Sequence, residues 1–316
     1  MILPFLRQIE SFILDPEVSE IMVNGPEHVF IERRGFIEPV PVTLNSKSLL
    51  VAVKNVARRL GSDISDEKPI LDSRLPDGSR VAAVIPPCSL TGVTLTIRKF
   101  NAPNFGLPEL ISVGSITREA ADLLVKAVLE RQNILISGGT GTGKTTLLSI
   151  LANFIPKDER ILVIEDTAEI QVRTLNLVRF EARVADGSLP AVTIRELLKA
   201  SLRHRPDRII LGEIRGGEAF DLLQLLNTGH SGTLSTVHAN SAAQALSRFT
   251  TCVLQSEMEL PYRAIKSNIA DSLHLIVHIE RRPGRRFVSE ILQVKKYNPE
   301  TDLYSLAPVF ARKEEP

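Results

Sequence analysis

Eight residues constrain this chain more than any others: Gly138-Gly139-Thr140-Gly141-Thr142-Gly143-Lys144-Thr145. They follow an apolar run at residues 133–137 and precede Thr146-Leu147-Leu148-Ser149-Ile150-Leu151, which opens a helix. GxxxxGK[ST] between a buried strand and a helix is the spacing of a phosphate-binding loop. Each residue type has a reason. Glycines let backbone N–H groups turn inward around phosphates, and the helix adds the positive end of its dipole. Lys144 would neutralise the β- and γ-phosphates, and the Thr145 hydroxyl would hold Mg²⁺.

That loop places the second part of the chain in the α/β class. A helix at residues 117–130 leads into the strand before the loop. Residues 161–164 and 208–211 are further short apolar runs suited to a buried parallel sheet. The first part reads as α+β. Phe5, Leu6, Ile9, Phe12 and Ile13 recur at helical spacing, and residues 29–32 and 37–40 flank Arg34-Gly35 like a hairpin. A helix over residues 46–60 carries Leu49, Val53 and Val56 on one stripe. Between the parts, residues 101–108 carry two prolines and a glycine and read as a linker. The expected division is an N-terminal domain at 1–100, a linker at 101–115 and a nucleotide-binding domain at 116–316.

A phosphate loop needs acids on the same sheet edge. Ile209-Ile210-Leu211-Gly212-Glu213 is an apolar strand ending in a carboxylate, and Glu165-Asp166 ends another. Glu213 could orient and activate the attacking water, or act on Mg²⁺ through water. His230 and His238 flank a further strand and read as part of a phosphate-sensing edge.

Composition narrows the alternatives. The chain has 316 residues, 38 basic against 37 acidic, with three Tyr and no Trp. Balanced charge and scarce aromatics speak against a nucleic-acid-binding stripe. The run Arg281-Arg282-Pro283-Gly284-Arg285-Arg286 reads as a solvated loop. Cys88 and Cys252 lie too far apart for a disulfide framework or a CxxC zinc site. Glu10 and Asp15 precede any long apolar run, so no secretory signal is expected. Residues 81–97 are uncharged but broken by Pro86, Pro87 and Gly92, so no bilayer span is expected either.

The boxes together resemble a family. The phosphate loop, Glu165-Asp166-Thr167-Ala168-Glu169, residues 205–219 and the segment from Thr228-Gly229-His230 to His238-Ala239-Asn240 occur in that order. They resemble the Walker A, Asp, Walker B and His boxes of the secretion-superfamily ATPases of type II and type IV secretion and type IV pili. Residues 20–26, 74–81 and 95–100 look like the CpaF/TadA branch, the motors of tight-adherence (Flp) pili. The four-cysteine zinc motif of some relatives is absent.

The resemblance implies a PAS-like N-terminal domain followed by a RecA-like motor domain, assembled as a homo-hexamer. It implies a Mg²⁺-dependent ATP hydrolase at the inner face of the cytoplasmic membrane. Such a motor would act on inner-membrane platform proteins and touch the membrane only through them, to power pilus assembly or protein export. A nucleic-acid translocase or conjugative-transfer ATPase on the same core is the alternative. Gly138, Gly139, Thr140, Gly141, Thr142, Gly143, Lys144, Thr145 and Thr146 would bind nucleotide. Glu165 and Glu213 would position Mg²⁺ or activate water, and His230 and His238 would sense nucleotide. Arg98, Arg80 or Arg74 would reach the phosphates, Arg98 first among them.

Overall fold

A computed structural model describes residues 5–33, 36–100, 106–185, 189–258 and 260–312. The chain divides into two compact units, Met1–Ala102 and Pro103–Pro316.

In the first unit a 3-10 turn (Arg7–Ile9) and α1 (Glu10–Leu14) replace the longer helix expected there. Asp15 is extended, as the residue before Pro16 must tend to be, and that ends α1. The strands are β1 (Val18–Asn24), β2 (Val29–Arg33), β3 (Phe36–Val40), β4 (Ile70–Arg74), β5 (Arg80–Val84) and β6 (Thr94–Arg98). They form one antiparallel sheet in the order β3-β2-β1-β6-β5-β4. The β2–β3 hairpin is the expected one, although Arg34 and Gly35 lie outside the described residues. Period-two alternation buries Ile21, Val23, Val81, Ala83, Leu95 and Ile97 on one face. There α2 (Ser46–Arg59) lays down Leu49, Ala52, Val53, Val56 and Ala57. Asn45 Oδ1 accepts the Ser48 N–H at 3.0 Å and fixes where α2 starts.

The second unit begins within the segment expected to be a linker. Residues 101–105 lie outside the described residues, but α3 (Leu107–Ser112) is helical. The Gly106 N–H donates to Glu109 Oε2 at 2.7 Å, and Pro108 occupies the first turn, where it costs no hydrogen bond. Then come α4 (Arg118–Leu129), β7 (Ile134–Gly138), α5 (Lys144–Ala152), β8 (Ile161–Glu165), β9 (Leu177–Glu181) and α6 (Ile194–Ser201). They are followed by β10 (Arg208–Ile214), α7 (Glu218–Asn227), β11 (Leu234–His238), α8 (Ala242–Leu254) and α9 (Tyr262–Ser272). The unit ends in β12 (Leu275–Arg282), β13 (Arg285–Asn298) and β14 (Leu303–Ala311).

These strands make an eight-stranded sheet in the order β14-β13-β12-β7-β11-β10-β8-β9. The run from β12 to β9 is parallel, while β13 and β14 add on antiparallel. Helices cover both faces of the parallel part: α4 and α5 pack on Ile134, Ile136, Ile161, Val163 and Ile210. Opposite them, α6 to α9 pack on Leu135, Ile164, Ile209, Leu211 and Ile276. Burial on both faces explains why β7 and β8 read as unbroken apolar runs. The carboxyl ends of β7, β8, β10 and β11 therefore lie along one edge, carrying Gly138, Glu165, Glu213 and His238. Among the described residues, no helix is long and apolar enough to cross a membrane.

Candidate active site

The turn from β7 into α5 needs its glycines. Gly143, at φ +96°, opens α5 in the left-handed region. A Cβ on Gly138 would lie 2.5 Å from the Ile279 carbonyl oxygen. The Thr142 hydroxyl donates to the Gly139 carbonyl at 3.0 Å and braces the loop from inside. Lys144 is buried, and its ammonium donates to the Gly138 and Gly139 carbonyls at 3.1 and 2.7 Å. Burial pushes its pKa below the usual lysine value; the nearby Glu213 opposes that shift and Arg215 adds to it. Gly139 and Thr140 are exposed at the crown, and Thr145 and Thr146 stand in the first turn of α5.

The two acids have different surroundings. Glu165 is buried, and its Oε1 accepts the N–H groups of Glu169 and Ile170 at 2.7 and 2.8 Å. Its Oε2 faces Arg179 Nη2 at 3.3 Å. Burial raises its pKa despite these donors. Its oxygens are engaged in shaping the chain after β8. Glu213 is more open: Oε2 pairs with Arg215 Nη2 at 2.8 Å and Oε1 with His238 Nε2 at 3.0 Å. Arg215 also reaches Asp166 Oδ2 at 3.2 Å, so one guanidinium links the acids that end β8 and β10. Glu218 holds that arginine's backbone by accepting the N–H groups of Arg215 and Gly216 at 2.5 and 2.7 Å.

His238 sits beside the loop because β11 pairs with β7, with His238 opposite Gly138. Burial lowers its pKa first, with Lys144, Arg215 and Arg248 adding to the shift and Glu213 opposing it. A neutral imidazole therefore donates from Nε2 to Glu213. A cleft lined by Gly139, His238, Ala239, Asn240, Gln244 and Arg248 opens next to it. Arg215 and Arg248 were missed in the sequence. Arg215 carried a readable signal, since a residue two after Glu213 along an extended strand points the same way.

Other expected residues lie elsewhere. His230 precedes β11 by four residues, at the amino edge of the sheet, so within the unit it is not brought to the loop. Arg74, Arg80 and Arg98 belong to the first unit, where register pairs Arg74 with Arg80 and Arg80 with Arg98. They share one row of the face opposite the α2 core.

Mg²⁺ keeps several waters and takes few protein oxygens, relying on nucleotide phosphates for the rest. The position of Thr145 at the head of α5 and the accessible Glu213 carboxylate fit that requirement. Glu165 fits it poorly, because its carboxylate is buried and accepts two backbone N–H groups of the segment after β8.

Three histidines of this unit, His238, His274 and His278, have pKa values lowered chiefly by burial. Such a group takes up its proton more readily in the unfolded chain. Its neutral folded form is fully favourable above the unfolded value of about 6.5, and stability falls as pH drops through that value. The unfolding midpoint is therefore expected to decline from pH 7 toward pH 5.5. A thermal series that is flat over that window contradicts the burial of neutral histidines.

Residues 6–300 match the family described as "Type II/IV secretion system protein". The conjugal transfer protein TrbB of Rhizobium radiobacter is 36% identical over 287 residues, covering 90% of this chain and 85% of TrbB. The type IV secretion system protein PtlH of Bordetella pertussis is 35% identical over 306 residues, covering 89% and 90%. The crystal structure of the VirB11 ATPase from the Brucella suis type IV secretion system is 32% identical with a TM-score of 0.50, covering 92% and 93%. The chain belongs to the type II/IV secretion system ATPase family and is a P-loop ATPase.

Proposed function

We propose that this protein is the Mg²⁺-ATP-driven motor subunit of a pilus, export or conjugation apparatus, working as a homo-hexamer on the cytoplasmic face of the inner membrane. The observation that carries this reading is the convergence of Lys144, Glu213 and His238 at the carboxyl edge of β7, β10 and β11. Lys144 binds the β- and γ-phosphates once it exchanges the Gly138 and Gly139 carbonyls for phosphate oxygens. Thr145 and Glu213 would hold Mg²⁺, which when bound would supply positive charge to the phosphate oxygens. Glu213 orients the attacking water, and His238 donates to Glu213 and fixes its rotamer.

The finer assignments rest on sequence boxes: a PAS-like first domain, a RecA-like second, and arginines Arg98 and Arg80 offered to the phosphates. The row formed by Arg74, Arg80 and Arg98 supports treating them as one cationic set. Platform proteins of the inner membrane are the partners in this reading. Residues 20–26, 74–81 and 95–100 favour a tight-adherence pilus motor. The similarity to a conjugal transfer protein favours a second reading, a motor of DNA-transfer machinery that itself binds no nucleic acid.

The test is Mg²⁺-dependent phosphate release from ATP by the full chain, alone and as Lys144→Ala, with the assembly sized by light scattering. Turnover by a six-subunit particle, lost in Lys144→Ala, is the expected result. Undiminished turnover in Lys144→Ala removes the site, and full activity in a stable monomer removes the ring.

A further inference from the structure

The basic run at residues 281–286 is the tip of the β12–β13 hairpin, with Arg281 opposite Arg286 and Arg282 opposite Arg285. Its placement follows from register. On β12, His278 pairs with Ser137 and Ile279 with Gly138, so the residues after Ile279 run past the end of β7 alongside the phosphate loop. Strand alternation then divides the arginines between two faces. Arg282 and Arg285 share a face with Phe287, whose ring lies 5.4 and 5.3 Å from their guanidinium carbons. Arg281 and Arg286 share the face of Ile279 and Val288, which pack into the core beneath α4 and α5. This is the face onto which the loop turns. Arg281 Nη1 comes within 3.0 Å of where a Cβ on Gly141 would stand, against the crown of the loop.

We infer that Arg281 is a nucleotide-binding residue acting within its own chain, on the α-phosphate end of the bound nucleotide. The direction comes from strand order. Glu213 and His238 lie on β10 and β11, to one side of β7, and mark where the terminal phosphate is cleaved. β12 lies on the other side of β7. A polyphosphate threaded through the loop with its terminal phosphate toward Glu213 directs its nucleoside end toward β12 and Arg281. A guanidinium there meets charge that is the same in ATP and ADP and does not change during hydrolysis. It contributes uniform binding and no selective stabilisation of the transition state. Gly141, at φ +68°, leaves room for that approach, which a side chain would block.

The inference rests on the loop being an ATP site, and its test keeps the two apart. Fluorescent N-methylanthraniloyl ATP and ADP are titrated into the full chain, and steady-state kinetics are measured on the same preparations. Arg281→Ala is expected to weaken both nucleotides equally, by about tenfold, the scale of one charge-assisted hydrogen bond. KM should rise by the same factor while kcat holds within about twofold. Arg281→Lys should recover part of the loss by restoring charge without the planar fork. Arg282→Ala, whose side chain stacks on Phe287, should bind as wild type does. Wild-type affinities in Arg281→Ala overturn the inference. So does a loss confined to ATP, or a fall in kcat at constant KM, either of which would place the guanidinium at the terminal phosphate. Failure of the wild-type chain to bind either nucleotide instead sinks the ATP-site reading itself.

Discussion

Glu213→Gln is expected to bind ATP about as well as the wild type and to hydrolyse it about 10²-fold or more slowly. The amide keeps the size of the carboxylate but has one acceptor oxygen, so it accepts from Arg215 or from His238, and the other, being partly exposed, can turn to water while the β10 edge holds its shape. What it loses is an anion able to orient the attacking water and stabilise positive charge on it. Glu165→Gln should behave differently. The buried Glu165 carboxylate accepts two backbone N–H groups and faces Arg179, so an amide there returns only one acceptor oxygen. The expected cost is about 1–3 kcal/mol of stability. Any loss of turnover should come through displacement of residues 166–170 and remain smaller than that of Glu213→Gln. Phosphate release and thermal midpoints on both variants decide the matter. If Glu165→Gln keeps its midpoint but not its turnover, while Glu213→Gln hydrolyses normally, the two roles are reversed.

That pair also illustrates what the sequence could and could not reveal. The loop was legible because its backbone at Gly138 and Gly143 admits few other residues. Glu213 and Glu165 were legible as acids ending apolar strands. Their difference was not, since it depends on Arg179, which reaches Glu165 only because β9 pairs with β8 in one particular register. No local pattern reports such a pairing. The basic run read as a solvated loop for a similar reason: its charges are exposed, but β12 fixes them beside a loop some 140 residues earlier in the chain. The first helix was overestimated because apolar spacing does not tell an α-helix from the 3-10 turn that Arg7–Ile9 form ahead of Glu10–Leu14. The linker reading counted Gly106 and Pro108 as breakers, where they in fact start a capped helix.

The segment around His230 was read as part of a nucleotide-sensing edge, and its glycine gives a sharp test of what it does. Gly232→Ala is expected to destabilise the second unit by about 3 kcal/mol or more. Gly232 sits at φ +83°, and a Cβ there would fall within the Arg208 guanidinium, 2.7 Å from Cζ. Arg208 cannot easily move aside. Its side chain is fully buried at the start of β10, with Nε and Nη2 on Glu159 at 2.6 and 3.2 Å and Nη1 donating to the Gly232 carbonyl at 3.3 Å. Displacing it leaves a buried charge poorly paired, although Arg131 still reaches Glu159 at 3.5 Å. For a unit of this size the thermal midpoint should fall by about 6–12 °C. Arg208→Met separates the two causes. It removes the clash, so in that background Gly232→Ala should cost only the left-handed strain, about 1–2 kcal/mol. Turnover of the protein that remains folded should stay near the wild-type value, because this edge lies at the opposite end of β11 from His238. A Gly232→Ala protein with an unchanged midpoint and impaired hydrolysis would show that the segment acts on nucleotide after all.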